Sequence, residues 1–296
     1  MIEGGIFRVS SLDPPCPYKI YRREPKRMKL SIVLSTHAAQ FQAVAFKGDF
    51  AANVTRIAKM GYAGVELAVR DPDLINTFEL EAILSTHGLT VPAVGTGQAW
   101  GEERLSLTSS DPAVRIAAVE RIKRHIPLAA RLNAIVIIGL IRGITPAGQS
   151  HEQSIAYLIE NLRECARLAS IQGVRFALEP INRYETDLIH TVEEGLDLLD
   201  QVGADNLGLL LDTFHMNIEE SVIEDSIRAA GDRIFHFHVA DSNRWYPGAG
   251  HLNFQSFLKA LFDTGFQGYV SGEFLPKPDS ILAAQRNIAH LHSLFN

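Results

Sequence analysis

Four polar residues stand at or near the ends of apolar segments that have the composition of β-strands. Glu179 ends VRFALE, Asp212 ends LGLLLD, His238 lies in IFHFHV, and Glu273 ends GYVSGE. The gaps between them are 33, 26 and 35 residues, which suits one strand-and-helix repeat each. Three carboxylates that meet in a low-dielectric interior repel one another, and a divalent cation would keep all three ionised. The pattern predicts a single metal centre.

The donor set indicates which metal to expect. It offers three carboxylates and one imidazole, with no thiolate, and such hard donors favour Mn²⁺, Mg²⁺ or Co²⁺ over a sulfur-rich zinc site. We expect one divalent ion, Mn²⁺ first, with Co²⁺ or Mg²⁺ as alternatives. Each residue taken alone could be a helix cap or a salt-bridge partner. Their shared position at strand ends favours the metal site.

Other polar residues accompany these four. His236 shares a strand face with His238 because side chains alternate along a strand, and we interpret it as a supporting or core histidine. Glu66, near the end of GVELAV, is expected to line the same pocket and is a weaker metal ligand. Further histidines are expected at the surface or around the ligands, namely His87, His125, His190 and His251.

Apolar β-rich segments alternate with amphipathic helical stretches from Met28 onward. This order predicts the α/β fold class, a single-domain (β/α)8 TIM barrel, with its chemistry at the carboxyl ends of the strands. A doubly wound open sheet is the alternative, but SIVLSTHAAQF lacks the glycine-rich turn that such a fold places after its first strand. The strands are predicted over 29–35, 63–68, 90–95, 134–139, 174–179, 207–212, 234–240 and 268–273.

Capping residues mark the helix boundaries. Ser110, Asp111 and Pro112 predict a capped helix start, and Thr191 with Glu194 reads as a capping box. Glycines that end helices before the next strand are expected in the left-handed conformation: Gly61, Gly88, Gly173, Gly203 and Gly265. The glycines at 95 and 97 are better explained by a tight turn than by a phosphate site.

Composition excludes several classes of function. The 296 residues are 46% hydrophobic and carry a net charge of −6, which gives no reason to expect a nucleic-acid or membrane partner. Two cysteines are too few for a disulfide framework, and a cytoplasmic location fits best. Residues 1–27 are Pro-rich and then basic, and we expect a flexible or non-native N-terminal extension without a catalytic role. Residues 28–296 form the predicted catalytic domain.

From Met28 onward the chain resembles the sugar isomerase and epimerase barrels related to xylose isomerase, and among them the ketose 3-epimerases of the D-tagatose, D-allulose and L-ribulose type. The segments that carry the resemblance are EPINRYETD, DTFHMNIEE, HFHVADSNRWYPGAGH and the strand ending in GEF. The resemblance implies metal ligands, namely Glu179, Asp212, His238 and Glu273. It also implies that Glu185, His215 and Arg244 hold the O1 to O3 end of a sugar, and that the protein forms a homodimer or homotetramer.

The implied reaction is inversion of C3 of a free ketose such as D-tagatose, D-allulose, D-fructose or L-ribulose. Glu179 and Glu273 are expected to remove and return the proton on opposite faces, through an enediolate that the metal stabilises.

Several alternatives remain at this point. A keto-sugar acid such as 5-keto-gluconate would need a distal cation, for which Arg70, Arg104 and Arg142 are candidates although such residues are more often at the surface. An aldose–ketose isomerase would use the same scaffold. A zinc nuclease of the endonuclease IV type lacks support because the chain is acidic. A sugar-binding barrel without catalysis is disfavoured by the intact acid pairs.

Overall fold

The barrel predicted from the alternating segments is present. The structure, a computed structural model, describes Met1 and residues 28–294. Eight parallel strands pair in chain order, and the first strand closes the sheet against the eighth. The strands are β1 Lys29–Ser35, β2 Gly64–Ala68, β3 Ala93–Gly95, β4 Ile135–Ile138, β5 Phe176–Leu178, β6 Leu207–Asp212, β7 Ile234–Val239 and β8 Tyr269–Gly272.

Two predicted strands are half as long as expected, and four others are shorter by one residue at one or both ends. The third begins at Ala93 and not at residue 90, because Pro92 has no N–H to give to a strand ladder, and only an isolated bridge joins Thr90 to Gly64. The fifth is reduced to Phe176–Leu178, so that Glu179 is the first residue beyond it. Both changes leave the predicted site residues at the carboxyl end of the barrel.

Helices follow the strands and cover the barrel. Asp111 caps the helix that Pro112 opens, and Thr191 forms the predicted capping box with Glu194. The five glycines predicted to end helices all have positive φ angles, as expected. The helices are α1 Phe50–Lys59, α2 Thr77–Thr86, α3 Gly97–Glu103, α4 Pro112–Leu132, α5 His151–Ile171, α6 Val192–Val202, α7 Thr213–Glu219, α8 Ile223–Ala230, α9 Phe254–Asp263 and α10 Ser280–Leu294.

Strand alternation divides the core into two parts. Outward-facing residues pack against the helices, and Phe237 and Val239 of β7 belong to this large cluster. A small apolar cluster fills the barrel interior and consists of Ala93, Ile135, Ile137, Ala177 and Leu210, with Phe235 packed against it. His236 and His238 share one face of β7, as predicted, with ring centroids 5.2 Å apart. The barrel interior therefore has an apolar part and a polar part.

The sequence predictions for residues 1–27 fall, apart from Met1, outside the described residues and stay untested. No helix within residues 28–294 is both long enough and apolar enough to cross a bilayer.

Candidate metal centre and substrate cavity

The four predicted ligands come together at the carboxyl end of the barrel. Glu179 and Glu273 directly follow β5 and β8, whereas Asp212 ends β6 and lies beside His238 of β7 in the strand register. Each residue offers one ligand atom, and these atoms all lie within 4.8 Å of one another. His238 Nδ1 is 3.9 Å from Glu179 Oε1, 4.0 Å from Asp212 Oδ2 and 3.9 Å from Glu273 Oε2. One cation could contact all four atoms.

The unsatisfied atoms of this cluster fit a divalent ion. Asp212 Oδ2 and His238 Nδ1 are buried and have no hydrogen-bond partner within residues 28–294. Such atoms are costly in a protein interior unless a donor, a water or an ion contacts them. Burial, and next the charge of Glu273, raises the pKa of Glu179 well above its usual range. Burial also raises the pKa of Glu273 to about 7. A cation at this point would stabilise the ionised form of both.

Glu66 meets His238 on the other side of the imidazole ring. Glu66 lies on β2, is 2% exposed, and its Oε2 is 2.9 Å from His238 Nε2 and 2.7 Å from His236 Nε2. Burial alone would raise the pKa of Glu66, but the charge of His238 and hydrogen bonds from both rings lower it. Burial opposes a charge on His238 too, yet the Glu66 carboxylate raises its pKa to about 10. Glu66 lines the cavity, as expected. It contacts one predicted metal ligand, His238, at the ring nitrogen that faces away from the other three.

A second set of residues forms the predicted sugar-binding end. Arg244 Nη1 donates to Glu185 Oε1 at 2.7 Å, and Arg244 Nη2 lies 3.6 Å from Glu273 Oε2. Asn182 donates from Nδ2 to Glu185 Oε1 at 3.0 Å and contacts His215 Nδ1 at 2.7 Å. His215 Nε2 lies 3.7 Å from Glu179 Oε1. The three residues implied by the resemblance therefore adjoin the ligand cluster.

Burial keeps His215 a neutral donor at this position. Burial and then the charge of Arg244 lower the pKa of His215 well below its usual range. Because Asn182 Nδ2 can only donate, it fixes Nδ1 of His215 as the acceptor. The ring N–H is then at Nε2, which faces Glu179.

The loop that carries Arg244 is held by a buried carboxylate. Asp241 accepts hydrogen bonds from the backbone N–H groups of Ser242, Gly248 and Leu252 at 2.8, 2.8 and 3.1 Å. Arg244 itself has a φ of 59°, a left-handed conformation that is uncommon for residues other than glycine. The backbone N–H of Arg244 donates to the carbonyl of Asp241, and its carbonyl accepts from the N–H of Leu275. These two hydrogen bonds hold the uncommon backbone conformation.

A cavity of about 280 Å³ opens over these residues. Most of its remaining wall comes from β1 to β4 and the segments after them, and is largely apolar. Helix α3 contributes Gln98 and Glu102 to this wall. The apolar wall residues include Val33, Phe41, Val44, Ile137, Leu140 and Ile181.

None of the three arginines considered for a distal cation lines this cavity. Arg70 pairs with Glu102 at 2.9 Å, and Arg104 is exposed at the end of α3. The surface expectation was wrong for Arg142, which is fully buried and donates to the backbone carbonyl of Glu179. Burial lowers its pKa to about 10, so it stays cationic at neutral pH behind the ligand cluster.

One histidine prediction was also wrong. His125 is fully buried, and its ring nitrogens contact the carbonyls of Arg121 and Val69 at 2.8 and 3.1 Å. It lies on α4 and stabilises the packing of that helix instead of supporting a ligand. His87 and His190 are half-buried and His251 is exposed.

Sequence reasoning missed two residues at the site. Asn182 lies inside the EPINRYETD motif, but its contacts with Glu185 and His215 depend on how the loop folds. Gly139 follows β4, and a Cβ atom there would lie 2.9 Å from Glu179 Oε2. A single glycine after a strand is too common a pattern to reveal that requirement.

Comparison with known proteins agrees with the geometry. Residues 54–294 match the family model described as xylose isomerase-like TIM barrel. An L-ribulose 3-epimerase of Methylomonas sp. is 32% identical over 263 residues, which cover 84% of this chain and 90% of that protein. A hydroxypyruvate isomerase of Escherichia coli is 30% identical over 238 residues, covering 77% of this chain and 89% of that protein.

A solved structure extends the comparison. The D-psicose 3-epimerase of Clostridium cellulolyticum H10, determined with D-tagatose, superposes with a TM-score of 0.77 at 26% identity, over 91% of this chain and 100% of that chain. The sequence match, the shared barrel and the strand-end cluster lead to one assignment. The chain belongs to the ketose 3-epimerases of the xylose isomerase-like TIM barrel family, which are carbohydrate epimerases of the isomerase class.

Proposed function

We propose that this protein inverts C3 of a free ketose by a two-base mechanism with one bound divalent ion, Mn²⁺ in the first instance. The observation that carries the proposal is that the ligand cluster contains two glutamates, which follow strands that are not neighbours in the barrel. Glu179 follows β5 and Glu273 follows β8, and both face the same cavity. Epimerisation next to a ketone needs one group to remove the C3 proton and another to return a proton from the opposite face.

The metal has a defined set of protein ligands. Glu179, Asp212, His238 and Glu273 would hold it, in keeping with the hard donors that Mn²⁺, Co²⁺ and Mg²⁺ prefer. When bound, the ion supplies Lewis-acid stabilisation of negative charge on the substrate oxygens. Asp212 and His238 serve as ligands only, whereas each glutamate would also use a carboxylate oxygen as base or acid.

The remaining polar residues bind and orient the sugar. Arg244 and the Nε2–H of His215 donate toward the O1 to O3 end, where charge develops during proton removal. Glu185 holds the Arg244 guanidinium at 2.7 Å and accepts from a substrate hydroxyl. These contacts would position the ketone with its C3–H between the two glutamates.

The cavity wall favours an uncharged ketose over a keto-sugar acid or a sugar phosphate. The charged side chain on the distal wall is Glu102, which would repel an anionic group. Arg70 is already engaged by this carboxylate. D-tagatose, D-allulose, D-fructose and L-ribulose remain the proposed substrates.

A screen of free ketoses, ketose phosphates and keto-sugar acids with added Mn²⁺ or Co²⁺ tests the proposal. NMR should show a C3 epimer of a free ketose and, in D₂O, exchange of the C3 proton. A clear preference for a phosphorylated or carboxylated substrate would contradict it. Absence of exchange at both C1 and C3, the two carbons next to the ketone, would favour a binding protein over an enzyme.

A second candidate is aldose–ketose isomerisation, which shares the enediolate but moves the proton between C1 and C2. The similarity to a hydroxypyruvate isomerase supports testing it. With D-fructose as substrate, NMR separates D-allulose, the product of 3-epimerisation, from an aldose. An aldose as the main product would replace the first proposal with the second.

A further inference from the structure

The polar network behind His238 is buried and lies on the side of the imidazole ring that faces away from the ligand cluster. Glu66 contacts His238 Nε2 through both carboxylate oxygens, at 3.0 and 2.9 Å, and Oε2 also contacts His236 Nε2 at 2.7 Å. All three residues are 1–2% exposed. Two imidazoles thus share one carboxylate in the barrel interior.

We infer that Glu66 is a positioning residue for the metal centre: it orients His238 and fixes the tautomer in which Nδ1 is free to bind the ion, while His236 holds Glu66 in place. The inference rests on the proposed metal site. Glu66 would act on the metal through His238 and would not itself be a ligand.

Hydrogen bonding explains the tautomer. An ionised carboxylate only accepts, so each contacting Nε2 carries the proton. When an ion displaces the proton of Nδ1, the imidazole that remains is neutral, keeps its proton on Nε2 and presents a lone pair at Nδ1. His238 Nδ1 is the atom that lies 3.9–4.0 Å from the three carboxylates and has no partner within the described chain. Carboxylates that bind the outer nitrogen of a metal-bound histidine fix its orientation and raise its basicity.

Hydrogen bonds account for the contacts among Glu66, His236 and His238 without a second metal ion. The distances of 2.7 and 2.9 Å are those of hydrogen bonds from ring N–H groups to a carboxylate. Glu66 is equally unsuited to bind the ion of the main cluster, because it occupies the ring nitrogen that faces away from that cluster. The carboxylate oxygens of Glu66 are already bonded to the two imidazole rings.

The position of Glu66 on β2 also favours a role in orienting His238. Glu66 comes from β2, on the other side of the barrel from β7, and reaches across the interior at the level of His236 and His238. Isolated ionised groups in a protein interior are costly. The carboxylate is stabilised by the two imidazoles it contacts, so its presence is coupled to the residue that would bind the ion.

Calorimetric titration of the chelated protein with Mn²⁺ tests the inference. Glu66→Gln keeps the size of the side chain, but its one amide oxygen cannot replace both carboxylate oxygens and its NH₂ group faces an N–H donor. We expect the Kd for Mn²⁺ to rise about 10–100-fold, the usual effect of removing such an outer partner. His236→Phe removes one support of Glu66 and should raise the Kd by less. Co²⁺ added to Glu66→Gln should give a visible spectrum that differs from that of the parent.

Glu102→Gln is the matched control. It removes a carboxylate that lines the same cavity but pairs with Arg70 and His37, and it should leave the Kd for Mn²⁺ within about twofold, as for independent sites. Circular dichroism of each metal-free variant checks folding. An unchanged Kd and Co²⁺ spectrum in folded Glu66→Gln would overturn the inference, as would equal losses in Glu66→Gln and Glu102→Gln. If Glu66→Gln does not fold, the Kd and Co²⁺ spectrum of His236→Phe decide, and parental values there would overturn it too. These measurements need no substrate, so failure of the proposed epimerisation would not affect them.

Discussion

Replacing Glu273 by Gln separates the two proton-transfer steps. The substitution keeps the size of the side chain and one oxygen donor toward the ion, but it removes the base or acid that follows β8. Glu273 Oε2 lies 3.9 Å from His238 Nδ1 and 3.6 Å from Arg244 Nη2, so the amide can occupy the same space. Glu179, on the opposite side of the cluster, is left in place.

The expected loss follows from the role of the residue. General acid–base groups contribute about 10²–10⁴-fold to rate, which corresponds to about 2.7–5.4 kcal/mol in the activation free energy. We expect 3-epimerisation by Glu273→Gln to fall by at least the lower figure. The Kd for Mn²⁺ must be measured alongside, because loss of the ion would give the same result.

Deuterium at C3 makes the assay specific for two bases. In the parent enzyme the label should be lost from both epimers. In Glu273→Gln the remaining base can reach only one face, so only one epimer should lose its label, and Glu179→Gln should show the opposite preference. If metal-loaded Glu273→Gln keeps most of its epimerase activity, or exchanges the label of both epimers equally, the two-base assignment is wrong.

Four further outcomes are expected. Arg244→Ala should lower kcat/KM by about 10²–10³-fold, and Arg244→Lys should recover only part of it because an ammonium cannot replace the forked guanidinium; full activity in either would contradict the donor role. Gly139→Ala should displace the Glu179 carboxylate and lower kcat about 10²-fold at saturating Mn²⁺, and a parental kcat would show that the 2.9 Å approach is easily relieved. Chelation should lower the thermal midpoint, since Mn²⁺ at 100 times its Kd adds about 2.7 kcal/mol to the free energy of unfolding; an unchanged midpoint would argue against a metal site. Asp241→Asn should reduce the free energy of unfolding by about 2 kcal/mol at pH 7, in denaturant titrations.

The pH dependence of that last variant has a defined sign. Burial opposes ionisation of Asp241, but hydrogen bonds from the backbone N–H groups of Gly250, Ser242, Leu252 and Gly248 lower its pKa below the usual value. A carboxyl with a lowered folded-state pKa stabilises the protein above its ordinary pKa of about 3.9, and this contribution is lost as the pH falls through the folded-state pKa. The difference between parent and Asp241→Asn should therefore shrink in acid. A difference that stays constant from pH 7 to pH 3 would show that the charge has no part in holding the loop.

The sequence predicts the barrel well because its evidence is local and repeated. Alternating segments, the capping box at Thr191 and the helix-ending glycines each depend on near neighbours in the chain. The four strand-end residues could be found because parallel strands bring their carboxyl ends to one side. The partners of those residues could not, since the Glu66–His238 contact joins residues 172 positions apart across the barrel.

Burial was the other quantity that the sequence did not reveal. Arg142 and His125 carry polar side chains in segments that could equally lie at the surface, and only the packing of α4 and of the segment after β4 encloses them. Long polar side chains are usually exposed, so expectation and structure differ for these two residues. In both cases a backbone carbonyl in the interior provides the partner.

The two halves of the barrel carry different kinds of residue. The ligand and proton-transfer residues all come from β5 to β8 and the loops that follow them, whereas the wall contributed by β1 to β4 is mostly apolar. Mutations in the first half can therefore change the shape of the cavity while the reacting groups stay in register. A library confined to the loops after β1, β3 and β4 should yield variants that accept other ketoses and still release the C3 proton. Glu66 on β2 and Gly139 after β4 are the exceptions, and both should be held constant in such a library.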